Sequence, residues 1–344
     1  VTQSIGIVLI GRNEGERLVR CLASVRGHGN VVYVDSASSD DSVARAREAG
    51  ADVVELDMTL PFTAARARNA GFARLRQAHP GVALVQFIDG DCELDPGWLP
   101  AARDALLGDP GIGIACGNLR ELNPAGSIYN RLGDIEWRRP AGDTDHCGGI
   151  FIIRSDAFER VGGFDPSIAA GEEPDLCCRL RAAGMRVVRL DRQMATHDLN
   201  MMRLSQWWNR SVRGGYGALK LTMFGPAISR RIFRRQVISA TVWGFAFPLL
   251  IMAIVTLATA LGHVQTALLA AALGLGVFLI QALRIASKGR CAGLKVPDAA
   301  AYGFFTLLWK FAATAGFAQC LIDRLRGSRA CTDAPAIRVF HKSA

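Results

Sequence analysis

The sequence predicts an α/β protein, a mostly parallel sheet flanked by helices, followed by a C-terminal helical membrane region. Three observations predict it. Short apolar runs alternate with helically spaced segments from Ser4 to Ile88. Apolar stretches as long as a bilayer is thick gather after Arg235. Arginines and lysines crowd the outer ends of those stretches.

The elements follow in chain order. Ser4–Ile10 is a buried-type strand, and Glu14–Val25 has helical spacing through Leu18, Cys21, Leu22 and Val25. Val31–Val34 is a second strand, ending in the acidic, serine-rich turn Asp35-Ser36-Ala37-Ser38-Ser39-Asp40. Asp40 or Asp41 then caps a helix through Glu48, Gly50 closes it, and Asp52–Glu55 is a third strand. Thr63–Gln77 is a helix carrying Arg66, Arg68 and Asn69, and Val82–Ile88 is the fourth strand. Further on come a helix over Pro96–Leu107, a strand over Ile112–Leu119 and a helix over Ser127–Arg139. The Gly148-Gly149 pair leads into strand Ile150–Arg154 and permits close backbone approach to a ligand. A helix opens at Gly171-Glu172-Glu173-Pro174-Asp175, strand Val187–Leu190 follows, and Met194–Asp198 brings in His197. Ser205–Leu221 is a helix with Trp207, Arg210 and Arg213 near one face, which suits a headgroup-level helix or a lid over a diphosphate.

Chemistry concentrates where the fourth strand ends, at Asp89-Gly90-Asp91. Two carboxylates separated by a glycine can turn toward one point, and carboxylate oxygens are preferred ligands of Mg²⁺ or Mn²⁺. In open α/β sheets ligands bind at the carboxyl ends of strands. The same residues also suit an ordinary turn. Asp35 at its strand end can accept a hydrogen bond from a base imide or ribose hydroxyl, or simply close its own turn. The carboxylates at Glu172, Glu173 and Asp175 suit either a helix start or a general base. No GxGxxG follows the first strand and no GxxxxGK[ST] occurs, which argues against a dinucleotide Rossmann site and a P-loop. The first loop offers Arg12, Asn13 and Glu14 instead.

A net charge of +9 and a mean hydropathy of +0.19 describe two regions rather than one. Cations beside apolar segments favour a membrane surface over nucleic acid. Nine cysteines without a CxxC pair read as reduced thiols of a cytosolic domain. Val237–Leu261 and Val264–Ala282 form a helical hairpin with only Gly262 and His263 between them. By the positive-inside rule both outer ends face the cytoplasm. Ala299–Ile322 is also apolar but contains Lys310 and ends in Arg324, Arg326 and Arg329, so an in-plane or re-entrant helix is expected, with Arg338 and Lys342 cytoplasmic. This gives a cytoplasmic domain over 1–222 and a membrane region over 223–344 with transmembrane helices near 237–261 and 264–283.

Taken together, the Asn13-Glu14 loop, the DSASSDD turn, RARNAGF, DGD and GGFDPS…GEEPDLCCRLRAAG resemble the family 2 glycosyltransferases of GT-A fold, in particular membrane-attached bacterial ones. The resemblance covers about residues 4–220. It implies that Asp35 contacts a nucleotide base, that Asn13, Glu14, Arg68, Asn69 and Asp89 lie about a nucleotide-diphosphate sugar, and that Asp91, with Asp89 and His197, holds Mg²⁺ or Mn²⁺. The base falls on Glu173, where the family usually has aspartate, with Glu172 or Asp175 as alternatives. Gln206–Arg210 is similar to a QxxRW motif but reads QWWNR, which argues against processive synthesis and sets Arg210 and Arg213 beside the donor. The implied activity is inverting sugar transfer to a lipid-linked or glycan acceptor at the cytoplasmic face of a bacterial inner membrane. Competing classes are a nucleotidyltransferase, whose GxGxR-type loop is absent, and an inactive membrane scaffold.

Overall fold

The computed structural model describes residues 4–168, 171–224 and 227–326. Two compact units result, 4–123 with 133–200, and 124–132 with 201–326.

In the first unit, β1 (Ile5–Gly11), β2 (Asn30–Asp35), β3 (Asp52–Glu55) and β4 (Leu84–Asp89) alternate with α1 (Glu16–Val25), α2 (Ser42–Glu48) and α3 (Ala64–Ala78). The four strands are parallel, in the order β3-β2-β1-β4. Ile7, Val8, Leu9, Leu84, Val85 and Phe87 are fully buried, which is why these runs carry no polar alternation. Thr63 caps α3 by accepting the Arg66 N–H. Gly71 lets α3 lie directly on the sheet, since a Cβ there would sit 2.4 Å from Val8 Cγ1. That close seat sets Arg68, one turn earlier, at the carboxyl ends of the strands.

The sheet continues through β5 (Cys92–Leu94), α4 (Trp98–Gly108), β6 (Ile112–Glu121), α5 (Ile128–Trp137), β7 (Gly142–Asp143), β8 (Phe151–Arg154), α6 (Ser155–Arg160), α7 (Glu172–Ala182) and β9 (Arg186–His197). The order runs β3-β2-β1-β4-β8-β6-β9-β5, with β7 on β9. β8 is antiparallel to β4 and β6, and β5 is antiparallel to β9. Two expectations change here. The three-residue β5 was not anticipated, and the strand expected over Val187–Leu190 runs on to His197 as one strand of 12 residues. That strand bridges irregularities in its register with β6, between Cys116, Asn118 and Leu119.

In the second unit, α8 (Leu204–Phe224) packs along α12 (Val296–Leu325). Trp207 meets Phe305 edge-on at 5.1 Å, and Tyr216, Leu219, Ala313, Phe317 and Cys320 share an apolar cluster. The backbones touch. A Cβ on Gly215 would lie 2.4 Å from the Ala313 carbonyl oxygen, and one on Gly316 would lie 2.1 Å from that of Val212. So α8, expected to belong with residues 1–222, belongs to the compact unit of the apolar helices. α9 (Ala227–Thr241), a π turn at Val242–Ala246 and α10 (Phe247–Ala260) run into α11 (Val264–Cys291) through Gly262-His263. Among the described residues three helices are long and apolar enough to cross a membrane: Arg230–Ala260, Val264–Cys291 and Val296–Leu325. α12 is continuous across Lys310, without the break a re-entrant segment needs. The tail with Arg329, Arg338 and Lys342 lies outside the described residues.

Candidate active site

Arg68 is the hub of the carboxyl-end cluster. Its Nη1 donates to Glu172 Oε1 at 2.9 Å and to Glu173 Oε1 at 3.1 Å, and its Nη2 to Asp89 Oδ1 at 3.0 Å. The guanidinium also lies over the Phe164 ring, 5.6 Å from its centre. One cation thus gathers three carboxylates from β4 and the start of α7. Burial raises the pKa of Asp89 despite Arg68, and burial together with Glu173 raises that of Glu172. The cluster carries an excess of negative charge in a partly desolvated place, which favours a further cation.

Gly149 closes this side. A Cβ there would be 3.0 Å from both Arg68 Nη2 and Asp89 Oδ2 and 3.5 Å from Glu173 Oε1. The backbone here lies close against the ionic cluster itself. Among the acids of α7, Asp175 is paired with Arg179 and its side chain is 2% exposed, so it braces the helix rather than facing the cleft. Glu172 is 7% exposed and Glu173 16%, which leaves Glu173 the more accessible of the two.

Asp91 faces a different neighbour. β5 pairs with the end of β9 so that Cys92 lies opposite His197, and the Asp198 N–H donates to the Asp91 carbonyl at 3.0 Å. His197 Nε2 then comes within 3.4 Å of Asp91 Oδ2. The Cys92 thiol donates to Asp91 Oδ1 at 3.4 Å, and burial keeps its pKa well above the usual thiol value, so it is a poor ligand. A carboxylate oxygen and an imidazole nitrogen converging beside an acid-rich cluster fit Mn²⁺ or Mg²⁺. Arg20 stabilises this edge by joining Glu93 and Asp198 at 2.8 and 3.2 Å.

The remaining expected residues serve the loops. Asn13, at a positive φ of 55°, accepts the Ser39 N–H at 2.7 Å and joins the first two loops. Asp35, 2% exposed, accepts from Tyr33 at 3.0 Å and from the Ser38 N–H at 2.8 Å. Asp40 accepts the Ser42 N–H at 3.0 Å at the start of α2, whose cap position is Asp41. Glu14 pairs with Arg17 at 2.6 Å, yet burial and the nearby Asp91 push its pKa up to about 7. Asn69, expected beside a nucleotide, has firm partners within the protein. Both ends of its amide are committed to the Phe164 main chain, at 2.8 and 3.0 Å, because α3 must hold the Gly163–Phe164 turn. Arg210 and Arg213 lie on α8 in the second unit. Two neighbours of His197 were not foreseen, Trp137 and Glu121, because only tertiary pairing puts α5 and β6 beside it.

Glycosyl transferase family 2 matches residues 7–162 and Glycosyl transferase family group 2 matches residues 140–281. Together the two models span residues 7–281, and over that span the chain is similar to the family 2 glycosyltransferases. It is 30% identical over 244 residues to the pre-mycofactocin glycosyltransferase of Mycobacterium tuberculosis, covering 65% of this chain and 48% of that protein. Glycosyltransferase AglE of Haloferax volcanii is 21% identical over 243 residues, 67% of this chain and 77% of its own. The chain thus spans about half the length of the curated relatives it matches first. The mannosyltransferase PcManGT from Pyrobaculum calidifontis, solved with GDP-Man and Mn²⁺, has the same fold, with a TM-score of 0.55 at 18% identity over 93% of this chain and 87% of that one.

Proposed function

We propose that the protein transfers a sugar from a nucleotide-diphosphate sugar to a hydroxyl acceptor, with inversion, in the presence of Mg²⁺ or Mn²⁺. The observation that carries this reading is the Arg68 cluster beside the Asp91–His197 pair. Glu173 is the general base: Arg68 holds one of its oxygens, and its carboxylate takes the proton of the attacking hydroxyl. With one base and no protein nucleophile, displacement is direct and the anomeric configuration inverts. Asp91 and His197, with Asp89 alongside, would hold the divalent ion, whose charge offsets that of the departing diphosphate. Arg68 keeps Asp89, Glu172 and Glu173 at fixed separations, so little reorganisation is needed as the bond breaks. PcManGT binds GDP-Man and Mn²⁺, which supports both the donor class and the ion.

The acceptor is a lipid-linked or polysaccharide precursor, presented at the cytoplasmic face of a bacterial inner membrane. A bilayer core about 30 Å thick takes about 20 helical residues. Counted from the uncharged Gly262-His263 tip, the first cations outward are Arg235 and Arg284, both beyond that span. Between Met201 and Arg326 only Asp298 and Asp323 oppose fifteen lysines and arginines, which suits an anionic cytoplasmic leaflet. α12 lies in the membrane plane. Its middle is in backbone contact with α8, whose Arg210 and Arg213 belong at headgroup level.

Release of nucleotide from UDP-, GDP- and dTDP-sugars, with and without Mn²⁺, tests the reaction, and NMR of the product's anomeric proton tests inversion. We expect one donor to be consumed in a Mn²⁺-dependent way and Asp91→Ala to lose it. An Asp91→Ala enzyme as active as the wild type defeats the metal assignment. Labelling Cys331 in intact cells with a membrane-impermeant thiol reagent would overturn the orientation.

A further inference from the structure

The imidazole of His197 lacks the support that a metal-binding histidine ordinarily has. Such a ring usually donates its second nitrogen's N–H to a carboxylate or carbonyl, which fixes its tautomer and tilt. Here Nε2 faces Asp91 Oδ2 at 3.4 Å, while Nδ1 is buried and has no hydrogen-bond partner among the described residues. The ring must be oriented by packing. Trp137 supplies that packing, with its indole meeting the imidazole edge-on, centres 4.8 Å apart and planes at 62°.

The indole is itself held from behind. Asp134, 2% exposed, accepts from Arg120 Nε at 2.8 Å, from the Glu121 N–H at 3.1 Å and from Arg138, and so docks the last turn of α5 onto the end of β6. Gly133 lets that turn sit close, because a Cβ there would be 2.8 Å from a methyl of Leu199. Glu121 accepts the Leu199 N–H at 3.1 Å and so fixes the chain just after His197. Both partners, the last turn of α5 and the end of β9, are therefore tied to β6 within one unit.

From this juxtaposition we infer that Trp137 is a positioning residue for the divalent-ion site: packing of its indole against the imidazole replaces the missing hydrogen bond and holds His197 Nε2 toward Asp91. The inference rests on the reading of Asp91 and His197 as metal ligands. The apolar wall also keeps water from the buried Nδ1, so the ring is aimed without being paired.

The test is Mn²⁺ affinity of the full chain in detergent without any donor, read from the free-ion EPR signal. We expect His197→Ala to weaken binding strongly and Trp137→Ala to weaken it about 10-fold, with Trp137→Phe within about 2-fold of wild type, since a phenyl edge packs in the same way. His197→Ala with Trp137→Ala should bind no more weakly than His197→Ala alone, because Trp137 acts through His197. If His197→Ala lowers affinity but Trp137→Ala does not, or if the two losses add, the role assigned to Trp137 is wrong. If His197→Ala itself leaves affinity unchanged, the metal assignment fails instead. Should Trp137→Ala not fold, Trp137→Leu, which keeps apolar bulk without an aromatic edge, takes its place and is expected to fall between Phe and Ala.

Discussion

The two aspartates of the DGD turn sit one residue apart and live in opposite environments. Asp89 is locked into an ionic cluster whose cation, Arg68, touches two further carboxylates. Asp91 has an imidazole at 3.4 Å and a weak thiol donor, and its side chain is 23% exposed. One side has a cation of the protein's own, Arg68, and the other leaves donor atoms converging with little between them. The difference teaches that the motif divides its labour: Asp89 builds the site's frame, and Asp91 offers a free face to what binds there.

The largest effect should follow from breaking the frame. Arg68→Ala leaves three carboxylates around a buried void, and loss of one partner of a buried ionic cluster typically costs about 3–5 kcal/mol. Denaturant unfolding should show that loss, with activity gone as well. Next comes Glu173→Gln, which should lower turnover by about 10²–10⁴ while leaving stability nearly unchanged, as expected for loss of a general base. Glu172→Gln is its control. Burial and Glu173 already favour the protonated form of Glu172, so the neutral amide should be tolerated in melting experiments. Equal losses from both would erase the distinction between base and frame. On the other side of the motif, Asp91→Asn should lose the Mn²⁺-dependent activity with an unfolding free energy within about 1 kcal/mol of wild type, because no strong ion pair is broken.

The smallest effect sharpens the comparison through pH. Glu14 has a folded pKa of about 7 against 4.5 in the unfolded chain. Between those values the folded state holds the extra proton, so this contribution to stability is complete below pH 4.5 and declines until about pH 7. Glu14→Gln should remove that part of the slope and melt higher than wild type above pH 7. A pH profile identical to wild type would show that burial and Asp91 do not raise the Glu14 pKa.

Much of this was legible in the chain, for local reasons. The β–α alternation through Ile88 depends on hydrophobic periodicity, and every element there appears in its expected place. Arg68, Asp89 and Glu173 were likewise visible because carboxylates and arginines cluster in short motifs. His197 is different, since its neighbours are decided by a three-residue strand too short for any periodicity, pairing with residues a hundred positions away. Asn69 shows the converse. Its residue type suits a polar ligand, but the fold spends both ends of its amide on a turn nearly as distant. Trp137 carried no signal at all, because an aromatic near a helix end is ordinary until a histidine is found against it.

The glycine-mediated seam between α8 and α12 bears on how a water-soluble fragment should be cut. A chain ended after residue 222 would keep α8 but strip Tyr216 and Leu219 of their cover, presenting a sticky stripe that invites aggregation during expression. Truncation near Asn200, ahead of α8, avoids that stripe and is the better starting point for producing the sheet domain on its own.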